Sequence, residues 1–79
     1  SAAAEEAVVL RDLSNALTQL NPDLREVLFL IGVEQLSYQE VAQLLGTPIG
    51  TVMSRLSRGR ERLRLLLSGE PAPVLRRVK

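Results

Sequence analysis

The side chains best equipped for chemistry lie between residues 47 and 64, TPIGTVMSRLSRGRERLR, where five arginines and four hydroxyls accompany regularly spaced apolar residues. At 100° per residue, Ile49, Val52, Leu56, Gly59, Leu63 and Leu66 or Leu67 fall in one stripe of a helix. Opposite that stripe lie Thr51, Ser54, Arg58 and Arg62, with Arg55 and Ser57 on the flanks. One face suits packing on a domain. The other offers hydroxyls and guanidiniums to something anionic and groove-shaped, because the guanidinium fork matches phosphate oxygens and the edge of guanine. A solvated arginine face is the plainer alternative, and spacing alone leaves it open.

The rest of the composition narrows the chemistry. The 79 residues include no histidine and no cysteine, which removes imidazole catalysis, disulfides and thiolate or imidazole metal sites. The carboxylates are scattered and no nucleophile–base pair suggests itself, so the chain is not expected to be an enzyme or to need a cofactor. Net charge is +1, but residues 1–50 carry two arginines against seven carboxylates, a net of −5, while residues 51–79 carry eight basic groups against Glu61 and Glu70, a net of +6. Such a division points to a polyanionic partner for the second half. Nine of the ten basic residues are arginine, the cation better suited to phosphate and guanine. No apolar run approaches the ~20 residues of a membrane span, and SAAAEE lacks the layout of a signal peptide. The chain does not begin with methionine, and we expect it to be a piece of a longer protein.

Four helices must position the arginine-rich segment. AEEAVVLRDLSNALTQL, about residues 5–20, places Val9 or Leu10, Leu13, Leu17 and Leu20 at helical spacing, with Glu5 and Glu6 in the first turn. Asn21-Pro22 is a cap followed by a proline at the first helical position, opening a second helix over 22–32 with Leu24, Val27, Leu28 and Ile31 inward and Gly32 as its stop. Ser37-Tyr38-Gln39-Glu40 is a capping box for a third helix over 37–45. Thr47-Pro48 repeats the cap-plus-proline device and opens a fourth over 48–67. Residues 69–79, with Gly69, Pro71 and Pro73, read as a flexible tail after a domain over 1–68. The expected fold is all-α, a small four-helix domain. A turn as short as Gly46-Thr47 forces a wide crossing between its helices, which is a C-terminal helix-turn-helix with Val41, Leu45, Val52 and Leu56 in the shared core and small Ala42 at the crossing. Gly59 lies on the inward stripe, so it serves either close approach of another helix or a bend.

LNPDLREVLFL, LSYQEVAQLLG and TPIGTVMSRLSRGRERLR resemble region 4, the C-terminal domain of ECF-type bacterial RNA polymerase sigma factors. The resemblance covers about residues 13–67 and is densest at Pro48-Ile49-Gly50-Thr51-Val52, Ser54-Arg55-Leu56 and Arg58. It implies a cytoplasmic bacterial protein that delivers core RNA polymerase to promoters. Region 4 reads the −35 element of double-stranded DNA in the major groove and docks on the polymerase β-flap, and many members are held inactive by an anti-sigma factor. Carried over position by position, it implies base contacts from Met53, Ser54, Ser57 and Arg58. Thr51, Arg55, Arg62 and the amide-rich helix start at Pro48, Ile49 and Gly50 would touch the DNA backbone, as would Arg25 near the start of the second helix. Two positions depart from the family pattern: Met53 stands where lysine or arginine is usual, and Gly59 where alanine is.

Surfaces for protein partners are expected at Phe29 and Val33, four residues apart, and at Leu65, which sits opposite the inward stripe of the fourth helix. These apolar residues serve equally well as core. Arg58 has a structural alternative too, an ion pair with Glu61 or Glu34. The alternative function is a sigma-mimic domain that binds an anti-sigma factor and not DNA; the retained Ser54, Arg55 and Arg58 argue against it. The output domain of response regulators shares the helical rhythm but lacks the Pro-x-Gly-Thr-Val-x-Ser-Arg-Leu run. A basic amphipathic helix for membranes or a peptide-binding groove fits poorly with the capped, tightly connected helices ahead of it. The resemblance does not extend to the region that family members use to open the −10 element, so this chain alone is not expected to start transcription.

Overall fold

The computed structural model describes residues 2–69. Among them the fold is all-α, with α1 over Ala2–Thr18, α2 over Pro22–Gly32, α3 over Tyr38–Leu45 and α4 over Ile49–Ser68. The expected tail lies, from residue 70 onward, outside the described residues.

Local chemistry places most of the boundaries. The Asn21 side chain accepts from the Asp23 amide at 2.8 Å, and Pro22 follows where no amide partner is needed. The capping box of α3 is complete: the Glu40 amide donates to Ser37 Oγ at 3.0 Å, and the Ser37 amide donates to Glu40 Oε1 at 2.8 Å. Replacing Ser37 by alanine is expected to cost about 1 kcal/mol of stability, read from the urea midpoint at unchanged m-value. Gly46 ends α3 in the left-handed conformation (φ 63°, ψ 38°), and the Thr47 amide turns back to the Ala42 carbonyl at 3.0 Å. Only residues 46–48 separate α3 from α4, and the two helices cross in the expected helix-turn-helix.

Val27, Val41, Val52 and Leu56 form the buried centre, one or two residues from each of α2, α3 and α4. Leu28, Leu30, Ile31, Leu36, Ala42 and Leu45 pack around it. Gly59 is buried, and a Cβ built there would come within 3.1 Å of Leu28 Cδ1 and Cγ and 3.5 Å of Leu24 Cβ. The glycine therefore serves the close approach of α2 to α4, the first of the two roles open to it.

The outer helices correct the reading of spacing. Val9 and Leu10 are exposed along with every other residue of α1 up to Asp12, because no other helix reaches that half of α1. Its packed stripe is Leu13, Ala16, Leu17 and the following Leu20, with Ala16 and Leu20 buried. Ile49 is exposed at the tip of α4, one turn beyond the buried Val52. α2 ends at Gly32, and the left-handed residue of the following turn is Gln35 (φ 61°), with the Leu36 amide reaching the Leu30 carbonyl at 3.0 Å. Leu65 is buried, 7% exposed, and cannot be the expected partner contact. α1 packs against this end of α4, with Asp12, Asn15, Ala16 and Gln19 beside Leu66 and Leu67, the residues that follow Leu65.

Candidate nucleic-acid interface

With its inner stripe committed to the core, α4 has one way to face. Met53, Ser54, Ser57 and Arg58 are all exposed along its outer surface, while Thr51, Arg55 and Arg62 are half-buried at its margins. Anchoring comes from Val52 and Leu56, each flanked by outward-facing residues, so the reading face is carried on a rigid, buried backbone.

The charged groups divide into held and free. Arg55 Nη2 lies 3.9 Å from Asp23 Oδ2, a loose pair across the first turn of α2 that leaves the Arg55 side chain 27% exposed. Arg58 sits beside it in a shallow recess with Asn21, Asp23 and Leu24 but forms no ion pair among the described residues. Its structural alternative is closed at Glu61, which belongs to Arg64: the Arg64 Nε donates to Oε1 at 3.2 Å and its Nη2 to Oε2 at 2.8 Å. That hydrogen bond, and then the Arg64 charge, hold the Glu61 carboxyl below its ordinary range. The pair's small contribution is therefore present above the ordinary carboxylate pKa and lost as pH falls through the lowered one.

The start of α4 is unusual in carrying no side-chain cap. Pro48 is the N-cap residue, and Thr47, expected to cap, instead turns its Oγ1 toward the Leu45 carbonyl at 3.3 Å. The Thr51 and Val52 amides are taken by the Pro48 carbonyl, which leaves the Ile49 and Gly50 amides for an external anion. A Cβ at Gly50 would meet no atom within 4 Å, so the backbone there lies open.

Arg25 has a partner within the fold. Its Nη1 donates to the Leu17 carbonyl at 3.4 Å, near the end of α1, where the helix dipole favours a cation; the same oxygen also accepts from the Leu20 amide at 3.2 Å. It borders a groove of about 750 Å³ lined chiefly by Leu13, Leu17, Leu28, Phe29, Val33 and Leu63, which shares Asp23 with the Arg58 recess. Phe29 and Val33 are 49% and 64% exposed at this groove, surface rather than core. No group of three metal-ligating side chains comes together among the described residues, and no helix there is long and apolar enough to cross a membrane.

Residues 6–63 match the family model described as sigma-70, region 4. The chain belongs to the sigma-70 region 4 family. It is 47% identical over 53 residues to the ECF RNA polymerase sigma factor SigE of Mycolicibacterium smegmatis, an alignment covering 67% of this chain and 21% of that protein. It is also similar to the ECF sigma factor SigW of Bacillus subtilis, 42% identical over 64 residues, covering 76% of this chain and 34% of that protein. The sigma factor CarQ of Myxococcus xanthus is 46% identical over 57 residues, 72% of this chain and 33% of its own length. This region 4 domain is thus of the ECF type, and it spans about a fifth to a third of the curated relatives it matches.

Two residues at the face of the region 4 domain escaped the reading of spacing. Tyr38 is exposed at the first position of α3 and shares a hollow with Met53, Ser57 and Arg60 of α4. The one available signal was position: a residue that directly follows the cap of the first helix of a helix-turn-helix stands beside the second helix. Arg60 carried no signal of its own, lying between the inner and outer stripes.

Proposed function

We propose that this domain reads the −35 element of promoter DNA by laying the outer face of α4 in the major groove, and so takes part in promoter recognition during transcription initiation in the bacterial cytoplasm. The observation that carries the reading is Arg58, exposed and without an ion pair at the middle of a face whose reverse side is the core. An exposed guanidinium with no internal ion pair is free to meet an external acceptor, and the O6/N7 edge of guanine is a bidentate match. Ser54, Ser57 and Met53 flank it as further base contacts, while Thr51, Arg55, Arg62 and the Ile49 and Gly50 amides suit phosphates. Arg25, engaged with Leu17, drops out of that set. The apolar groove with Phe29 and Val33 at its border suits docking on core RNA polymerase, since its lining is chiefly apolar and includes none of the proposed base-contacting residues. An anti-sigma factor would silence the domain by covering either surface.

The test is an amide NMR titration of the domain with short random duplexes at low salt, where non-specific dissociation constants of ~10⁻⁴ to 10⁻⁶ M at physiological salt become readable. Shifts should cluster on residues 48–62 and fade as salt is added. Shifts that are absent, or that ignore α4, would sink the reading in favour of a sigma-mimic that binds only protein.

A further inference from the structure

We infer that Met53 reads the 5-methyl group of a thymine, making this position of α4 select thymine over the other bases. The inference rests on the DNA-reading function proposed above and deepens it. Met53 is 49% exposed and stands one turn before Ser57, at a hollow of about 350 Å³ lined with Tyr38, Leu56, Ser57, Arg60 and Glu61. The buried Leu56 contributes to the lining from the core side, and the ring of Tyr38 from α3. An apolar side chain beside Tyr38 is thereby held out on a face whose other exposed groups are hydroxyls, guanidiniums and the Glu61 carboxylate, itself paired with Arg64.

The chemistry of the groove decides what such a spot can recognise. Along the major groove the base edges present donors and acceptors, and the thymine methyl is the apolar group among them. Methionine offers no hydrogen-bond donor and only a weak acceptor, so opposite guanine, adenine or cytosine it would leave a desolvated polar edge unpaired. Against a methyl it loses nothing, and its unbranched, polarisable thioether adapts to the contact. The two adjoining anchors, Val52 at 0% exposure and Leu56 at 3%, restrain the backbone from moving Met53 away.

The experiment starts by selecting a preferred duplex from a random pool with the 79-residue chain. Each thymine of that duplex is then replaced in turn by uracil, which lacks only the methyl, and affinity is read by fluorescence anisotropy. One replacement should weaken binding about fourfold, the worth of one buried methyl, and the loss should vanish in Met53→Ala. Truncating so exposed a side chain leaves the core intact, which a thermal melt verifies. If a duplex is selected but no uracil is discriminated, or the discrimination survives in Met53→Ala, the thymine assignment is overturned while the DNA-reading function stands. If no duplex is enriched, both fall together.

Discussion

Leu56→Ala is expected to lower the stability of the domain by about 2–5 kcal/mol, a large part of the roughly 4–12 kcal/mol that a chain of this size holds. Leu56 is 3% exposed and belongs to the one cluster in which α2, α3 and α4 meet. Removing its branched end leaves a void that the surrounding residues cannot readily close. Val52 and Gly59, the nearest buried neighbours along α4, are already packed, and Gly59 lies hard against Leu28. A urea titration followed by circular dichroism would show the midpoint shift or, at the upper end of the range, a chain substantially unfolded in buffer. Leu44→Ala is the control. Leu44 is 63% exposed on α3, and its truncation should change stability by no more than about 0.5 kcal/mol. A loss below about 1 kcal/mol for Leu56 would mean that the three helices do not depend on this contact, and that α4 is held by something other than the cluster described.

Arg58→Ala should act on binding and leave folding alone. Its side chain is exposed and has no ion pair among the described residues, so the melting temperature should stay within the small range typical of surface substitutions. Affinity for the selected duplex should fall by roughly 5- to 150-fold, the 1–3 kcal/mol of a bidentate guanine contact, while affinity for random duplexes changes far less. Arg62→Ala offers the contrast. A phosphate contact carries no sequence information, so its removal should weaken binding to every duplex alike and reduce the slope of log K against log salt by about 0.9. Anisotropy titrations at several salt concentrations separate the two patterns. Should Arg58→Ala weaken specific and random duplexes equally, Arg58 is a backbone contact and sequence choice lies elsewhere on α4.

Particular residues show which features were legible from the chain alone. Asn21-Pro22, Ser37 with Glu40, and Gly46 act through hydrogen bonds and backbone angles that span only a few neighbours, so their types and order were sufficient to place the starts of α2 and α3 and the turn before α4. Thr47-Pro48 looked equivalent to Asn21-Pro22 and is not: its hydroxyl found the Leu45 carbonyl instead, a competition within the turn that residue types do not rank. The outer face of α4 was readable for the same local reason, since 3.6-residue periodicity assigns Ser54 and Arg58 to one side as soon as Val52 and Leu56 are given to the other.

What remained open required knowing which helix touches which. Leu65 reads as outward on α4 by period alone, yet it is buried in the part of α4 against which α1 packs. Arg25 looks like one more cation for DNA until the end of α1 is brought to it and its guanidinium donates to the Leu17 carbonyl. Gly59 is ambiguous until Leu28 of α2 is found 3.1 Å from where its Cβ would be. By itself, then, the sequence determined the helices, their caps, the tight turn and the arginine face, all products of interactions between near neighbours in the chain. Only the tertiary structure decided the partners of Leu65, Arg25 and Gly59, because burial and hydrogen bonding at those positions depend on residues far away in the sequence.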